Sequence, residues 1–225
     1  MKLLSTGNPK LMKGEKEGYL SFILHLSPAN VSGYETCPKR TAGCTAACLN
    51  TAGRGGMFKK GETTNVIQQA RIRKTKMFFE NRDQFLADLE ADIRLGIKQA
   101  EKKNMIPCFR LNGTSDIAWE KYGIIEKFPE VQFYDYTKMR NRKVSHLKNY
   151  HLTFSKADGN DMDVRLAASA GMNIAAVFKE MPETYIGRKV INGDETDLRF
   201  LDEKGVIVGL KAKGRAKKDT TGFVV

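Results

Sequence analysis

Residues 18–27 read GYLSFILHLS, a short apolar run that ends before Pro28. Apolar runs of about four to eight residues bounded by turn residues are typical of buried strands. Residues 37–48 follow and read CPKRTAGCTAAC, so three cysteines in a C-x6-C-x3-C pattern come soon after this strand. The combination predicts a sulfur-bearing loop at the carboxyl edge of a sheet.

The rest of the chain predicts an alternation of strands and helices. Strands are expected at 105–112, 131–136, 150–155 and 173–179, with weaker candidates at 187–191 and 206–211. Helices are expected at 66–78, 81–102, 117–128, 139–148 and 161–170. Such alternation is typical of parallel βαβ units. Because the chain has 225 residues and shows neither repeats nor low-complexity linkers, we expect residues 1–225 to form one α/β domain with a partial TIM-like βα barrel.

Four of the predicted strands end in polar residues, in the segments 112–116, 135–138, 153–156 and 178–180. In βα barrels the active site is built at the carboxyl ends of the strands, and buried polar side chains need partners or a ligand. One interpretation is that Asp116 and Asp135 cap the helices that follow them. We prefer a second interpretation, because all four strand ends are polar. It places cofactor-binding side chains around a common mouth: Asn112, Ser115, Asp116, Asp135 and Lys179.

Three thiols in a short Gly- and Ala-bearing loop suit an iron–sulfur cluster. The irons of a cubane lie close together, so one irregular loop can supply several thiolates, and small residues let the backbone approach the sulfides. We expect Cys37, Cys44 and Cys48 to bind three irons of a [4Fe-4S] cluster. The fourth iron is then open or takes a non-cysteine group or a small-molecule ligand, and a redox partner is a further expectation. Arg54, close in sequence, is expected to offset the negative charge of the cluster.

Two other interpretations of the cysteines stay open. A zinc ion held with one of the histidines, His25, His146 or His151, is one, although zinc knuckles usually have shorter spacings. Three buried thiols without a metal are the other. The fourth cysteine, Cys108, lies four residues before Asn112 on the same face of its strand, roughly 13 Å below the rim at ~3.3 Å per residue. We therefore expect Cys108 to be a buried core thiol rather than the fourth ligand.

The chain carries a net charge of +12 and a pI of about 9.5, which attracts anions in general. Basic residues are densest at 71–76, 138–148 and 211–218, where solvent-exposed faces are the simplest interpretation. A nucleic-acid-binding module with a structural metal (zinc) loop is an alternative function, and it is not favoured because no nucleic-acid motif is recognised. No stretch approaches the ~20 apolar residues of a membrane span, and the start of the chain is polar too soon for a signal peptide. We therefore expect a cytoplasmic protein with no membrane partner.

A strand, a three-cysteine loop and βα units with polar strand ends together resemble the layout of radical S-adenosylmethionine enzymes. The usual loop of those enzymes is C-x3-C-x2-C, whereas this one is C-x6-C-x3-C. The difference favours a redox, electron-transfer or regulatory cluster over one that cleaves S-adenosylmethionine. A radical S-adenosylmethionine enzyme remains the alternative.

A closer resemblance is to a phage-encoded family, gene product 88. It rests on long segments distributed over nearly the whole chain: 43–55, 110–116, 133–138, 150–155, 193–202, 209–214 and 222–224. The resemblance implies a bacteriophage origin, a barrel-like fold that carries a [4Fe-4S] cluster, and, for a viral protein, location in the host-cell cytoplasm. It supplies no reaction.

Overall fold

The computed structural model describes residues 1–6 and 9–225, and in this part of the chain nine strands form one sheet. In chain order they are β1 (Leu4–Ser5), β2 (Tyr19–Leu24), β3 (Ile106–Arg110), β4 (Gln132–Thr137), β5 (Tyr150–Ser155), β6 (Ile174–Phe178), β7 (Thr184–Tyr185), β8 (Arg188–Asn192) and β9 (Ile207–Lys211). Each strand predicted from the apolar runs is confirmed, and β1 and β7 are short additions that were not predicted.

The sheet is mostly parallel. Its order is β1-β2-β3-β4-β5-β6-β9-β8-β7, and the seven strands from β2 to β8 in this order run parallel to one another. The edge strands β1 and β7 run antiparallel to their neighbours, and within residues 1–6 and 9–225 they are not paired with each other. The predicted α/β class is confirmed. Because the strands are parallel, the loops after β2, β3, β4, β5 and β6 all leave from one edge of the sheet.

Five α-helices are present in the described ranges. They are α1 (Pro9–Met12), α2 (Ala42–Ala46), α3 (Val66–Glu80), α4 (Arg82–Lys102) and α5 (Asp161–Ser169). The predicted helices at 66–78, 81–102 and 161–170 are confirmed. Asn65 caps α3, because its side chain accepts a hydrogen bond from the backbone N–H of Gln68. None of these helices is both long and apolar enough to span a membrane.

The predicted helices at 117–128 and 139–148 are wrong. The first segment contains a single 3-10 turn, Trp119–Tyr122, and the second contains turns and bends. Side-chain bonds replace helical ones at the start of the first segment: the side-chain amide of Asn112, five residues earlier, bonds both the N–H and the C=O of Ile117. Gly123, at φ 66°, then ends the 3-10 turn in a left-handed conformation. The periodicity of apolar residues does not reveal that a side chain competes for the backbone hydrogen bonds of a helix.

The main core lies between α3, α4 and one face of the sheet. Phe22, Phe109 and Phe133 occupy neighbouring positions on β2, β3 and β4, and the rings of Phe22 and Phe109 stack with centroids 5.0 Å apart. They belong to one buried cluster with Phe78 and Trp119. Burial of this aromatic surface is the main stabilising contribution of this layer.

Gly96 lets α4 lie directly on this aromatic layer. A Cβ at position 96 would lie 3.0 Å from two ring carbons of Phe109 and 3.2 Å from the ring of Phe22. We expect Gly96→Val to lower the free energy of unfolding by about 1–3 kcal/mol, since the added methyl groups overpack the core. Leu95→Val, exposed on the same helix, is the matched control and should cost under about 0.5 kcal/mol. Equal costs in a denaturant titration would contradict the close approach.

The opposite face of the sheet is covered by a later segment of the chain. The rings of Tyr19 and Tyr134 contact Phe200, with centroids 5.2 and 5.5 Å away. Arg110 on the same face forms a 2.9 Å ion pair with Asp197. Residues 197–200 therefore cover this face, which we call the inner side of the sheet.

Cys108 lies within this inner layer. It is fully buried beside Tyr134 and Leu198, and its sulfur is 3.1 Å from the hydroxyl of Ser21. Burial raises the pKa of its thiol to about 12. The expectation of a buried core thiol at this position agrees with the structure.

Candidate metal centre at the three-cysteine loop

The cysteine loop lies against the loops that leave the carboxyl ends of β2 and β3. The sulfur of Cys37 accepts a hydrogen bond from the backbone N–H of Ala29 at 3.4 Å and lies 3.8 Å from the carbonyl oxygen of Thr114. The backbone N–H of Asp116 donates to the carbonyl of Thr36 at 2.8 Å. These bonds place the first thiol at the edge of the sheet where the sequence predicted it.

Asp158, in the loop after β5, holds the second part of the cysteine loop. Its carboxylate accepts hydrogen bonds from the backbone N–H groups of Gly43 at 3.0 Å and Cys44 at 3.2 Å, and from the hydroxyl of Thr41. Thr41 itself caps α2 by accepting from the N–H of Cys44. Burial opposes ionisation of Asp158, but these hydrogen bonds outweigh it and hold its pKa below the ordinary value.

Residues 221–224 pack against the cysteine loop at Gly43. A Cβ at Gly43 would overlap the hydroxyl of Thr221 and lie 2.6 Å from the Asp158 carboxylate, so only glycine fits there. Lys156 donates to the carbonyl of Gly222, and Val224 pairs with Val177 on β6. These contacts hold residues 221–224 against the body of the protein.

The three thiols of the loop interact with one another. All are free and partly exposed. Burial, with smaller contributions from the neighbouring Cys44 and Cys37, raises the pKa of Cys48 to about 11. Burial also raises the pKa of Cys37, and Cys44 adds to that effect. The loop therefore gathers its three sulfur atoms within electrostatic reach of each other.

Two cations lie beside the thiols. Burial alone would lower the pKa of Lys138, but the charges of Cys44 and Asp116, together with a hydrogen bond to Cys44, raise it above the ordinary value. Arg71 on α3 interacts electrostatically with Cys48 and donates a 2.6 Å hydrogen bond to the side chain of Asn50. These positive charges favour the thiolate form that binds metals.

The donor set fits a thiolate-bound polynuclear centre. Three free thiols share one short loop, and the ammonium group of Lys138 and the guanidinium group of Arg71 lie near enough to offset negative charge. Among residues 1–6 and 9–225, no three His, Cys, Asp or Glu side chains are gathered closely enough to hold a single metal ion.

The structure places the predicted cofactor-binding residues in different surroundings. Asp116 lies next to the cysteine loop, where its charge acts on Cys37 and Lys138. One of its carboxylate oxygens accepts from the backbone N–H of Lys138 at 2.8 Å. Lys179 and Arg54 are exposed, and the cations beside the thiols are Lys138 and Arg71.

Asn112, Ser115 and Asp135 form a buried hydrogen-bond network with Tyr150. The Asp135 carboxyl accepts from the backbone N–H of Asn112 at 2.7 Å and from the hydroxyl of Tyr150 at 2.8 Å. Ser115 donates to the side-chain oxygen of Asn112 at 2.9 Å. Burial raises the pKa of Asp135 to about 7. The bonds of Asp116 and Asp135 run to other loops and side chains, so the helix-capping interpretation is wrong for both.

Asp158, Lys138 and Arg71 were not predicted as site residues. Lys138 stood in one of the polar strand ends, so a signal for it was present. Asp158 lies two residues beyond another polar strand end, and Arg71 stood in a basic cluster interpreted as solvated. Only the packing of α3 and of the β4 and β5 loops around the cysteines distinguishes these three from other charged residues.

His25, at the end of β2, is buried next to several cations. Burial is the main cause that lowers its pKa to about 3, and the positive charges of Arg71, Arg110 and Lys74 lower it as well. The negative charge of Asp197 acts in the opposite direction. The unfolded chain binds a proton at this histidine near pH 6.5, whereas the folded protein does not until about pH 3. Stability contributed by the neutral ring is therefore present above pH 6.5 and is lost as the pH falls below it.

We expect the free energy of unfolding to fall between pH 7 and 5 by about 2 kcal/mol more in the parent protein than in His25→Gln. His146→Gln is the matched control, because His146 is exposed. Denaturant titrations at the two pH values supply the comparison. If His25→Gln shows the same pH dependence as the parent, the buried neutral histidine is contradicted.

The geometry defines a class: an α/β protein with a mostly parallel sheet and a three-thiol loop at its carboxyl edge. The family model of gene product 88 matches residues 2–225, and the chain therefore belongs to the gene product 88 family. This is a phage gene-product family, which supports the expected viral origin. No curated protein and no solved structure matched the chain significantly.

Proposed function

We propose that the protein binds a [4Fe-4S] cluster through Cys37, Cys44 and Cys48 and uses it for a redox, electron-transfer or regulatory purpose. The observation that supports the proposal is that three free thiols lie on one short loop at the carboxyl edge of the sheet, with the charges of Lys138 and Arg71 acting on them. When bound, such a cluster supplies one-electron chemistry. A partial βα barrel belongs to the proposal, because the parallel sheet has its inner side filled by residues 197–200.

The residues in and around the loop would hold the cluster in three ways: as ligands, by fixing the backbone and by offsetting charge. The three cysteines supply thiolates, and Asp158 fixes the backbone of Gly43 and Cys44 between them. The positive charge of Lys138 acts on Cys44 and offsets negative charge there. Hydrogen bonds and charges around thiolate sulfur tune the potential of such centres, so Lys138 is expected to raise it.

The fourth iron has no cysteine available to it in the proposed arrangement. Cys108 is buried in the inner layer with Ser21 and Tyr134. Asp116 lies beside Cys37, and its second carboxylate oxygen has no hydrogen-bond partner in the described part of the chain. The fourth position is therefore proposed for a non-cysteine group, either this carboxylate or a small-molecule ligand, and a redox partner is expected to approach the same edge.

Anaerobic purification tests the cluster. The protein should be brown and contain iron and acid-labile sulfide in near-equal amounts, about four of each per chain. Colourless protein with one zinc ion per chain would overturn the proposal. A host-cell cytoplasmic location agrees with it, since a reducing compartment keeps thiols available to iron.

A second experiment addresses the radical S-adenosylmethionine alternative. Reduced protein is incubated with S-adenosylmethionine and assayed for 5'-deoxyadenosine. We expect none in turnover amounts, because the C-x6-C-x3-C loop departs from the C-x3-C-x2-C loop of those enzymes. Formation over many turnovers would establish the enzyme instead.

The nucleic-acid alternative loses support from the contacts of α3. Two of the basic residues at 71–76 are engaged inside the protein: Arg71 donates to Asn50, and Lys74 donates to the carbonyl of Leu3 at 2.6 Å. Nucleic-acid affinity, if present, should fall steeply with salt because released counterions drive it. No binding of a short oligonucleotide at low salt is the expected result.

A further inference from the structure

A second polar site lies beside the cysteine loop. It is a cleft of about 370 Å³ between the segment after β3 and the segment after β4. Pockets for small ligands span about 300–1,000 Å³, so this one suits a small molecule. Five basic side chains line it: Lys39, Lys121, Lys138, Arg140 and Arg142. Two carboxylates, Glu120 and Asp163, are the acidic residues of its lining, so positive charge is in excess by three.

One basic group of the cleft has unused hydrogen-bonding capacity. The side chain of Arg142 is 3% exposed, and its Nε atom donates to Glu120 at 2.9 Å. Its Nη1 atom forms a 3.9 Å ion pair with an Asp116 oxygen, which is too long for a hydrogen bond, and neither atom has a hydrogen-bond partner in residues 1–6 and 9–225. A buried guanidinium N–H without a partner is costly, and an incoming oxygen acceptor removes that cost.

The other cations of the cleft approach from three different elements. Lys39 belongs to the cysteine loop, Lys121 to the 3-10 turn after β3, and Arg140 to the segment after β4. All three are exposed, so they can rearrange around a ligand, and Arg140 would exchange its 3.3 Å ion pair with Asp163 for one with the ligand. Lys138 connects the cleft to the cysteine loop, because it lines the cleft and its charge also acts on Cys44.

We propose that this cleft binds a small molecule through a phosphate group. A phosphate carries nearly two negative charges and three strong acceptor oxygens, which matches the excess of positive charge and the mixture of guanidinium and ammonium donors. The site requires no iron, so its failure and the failure of the cluster proposal are separate results.

Calorimetric titration of the protein as purified tests the site with four probes at fixed ionic strength: pyrophosphate, ATP, citrate and a short single-stranded oligonucleotide. We expect pyrophosphate and ATP to bind once per chain in the micromolar range. Citrate should bind at least tenfold more weakly, because its planar carboxylates do not present a tetrahedral set of oxygens.

Two double variants with the same change of charge locate the binding. Lys121→Glu with Arg140→Glu alters the cleft, and affinity for pyrophosphate should fall at least tenfold. Lys98→Glu with Lys103→Glu alters exposed lysines on and just after α4, which leads into the amino end of β3 at the opposite edge of the sheet. This control should bind as the parent does.

Four results would overturn the proposal. They are no binding of pyrophosphate or ATP up to millimolar concentration, citrate binding as tight as pyrophosphate, equal weakening in both double variants, and displacement of pyrophosphate by a more tightly bound oligonucleotide. The last result would assign the cleft to nucleic acid instead.

Discussion

Cys44→Ser is expected to abolish binding of the proposed iron–sulfur cluster. Cys44 is the middle thiol of the loop, its backbone N–H is held by Asp158 and Thr41, and the charge of Lys138 acts on it. A serine oxygen is a much poorer ligand for iron than a thiolate. Iron and acid-labile sulfide should fall from about four of each per chain to below about one, with loss of the brown colour.

Cys108→Ser is the matched control for this experiment. The substitution makes the same chemical change at a buried thiol next to Ser21 and Tyr134, away from the proposed ligands. Its iron and sulfide contents should equal those of the parent. A loss of iron in Cys108→Ser with none in Cys44→Ser would reverse the assignment of ligands, and equal retention in both would remove the loop from the metal site.

Asn112→Ala is expected to have the largest effect on stability. The side-chain oxygen of Asn112 accepts from Ser115, from the N–H of Ile117 and from the indole of Trp119. Its amide nitrogen donates to the carbonyl of Ile117 and to Asp135. Because truncation leaves several of these buried groups unpaired at once, the free energy of unfolding should fall by about 3–5 kcal/mol.

Ser115→Ala calibrates the loss of one bond in the same network. It removes only the donor to Asn112, so its cost should be about 1 kcal/mol. Denaturant titrations of the two variants measure the difference. If Asn112→Ala costs no more than Ser115→Ala, the side chain of Asn112 is not the organising element of this loop.

The strands were predictable because their signal is local. Apolar runs bounded by turn residues marked each parallel strand within two or three residues of its observed ends. The two predicted helices that failed are replaced by side-chain interactions outside the helical pattern. In residues 117–128, the side-chain amide of Asn112 bonds the backbone of Ile117. In residues 139–148, the side chain of Arg142 pairs with Glu120 across the cleft. A pattern read along the chain does not contain such partners.

The candidate site was predictable in its thiols and only partly in their surroundings. The spacing of the cysteines identified the loop, and the polar strand ends drew attention to Asp116, whereas Lys138 stood in one of these ends and was not selected. Arg54 was selected by its proximity in sequence, yet it is exposed, and Arg71 on α3 stands beside Cys48 instead. Asp158 was not selected, because a carboxylate that holds backbone N–H groups more than a hundred residues earlier has no local pattern.

The most direct measurement is the electron paramagnetic resonance spectrum of the reduced protein after anaerobic purification, recorded for the parent, Cys44→Ser and Cys108→Ser. The parent and Cys108→Ser should show the signal of a reduced [4Fe-4S] cluster, and Cys44→Ser should lack it. A silent spectrum from parent protein that contains one zinc ion per chain would contradict the account.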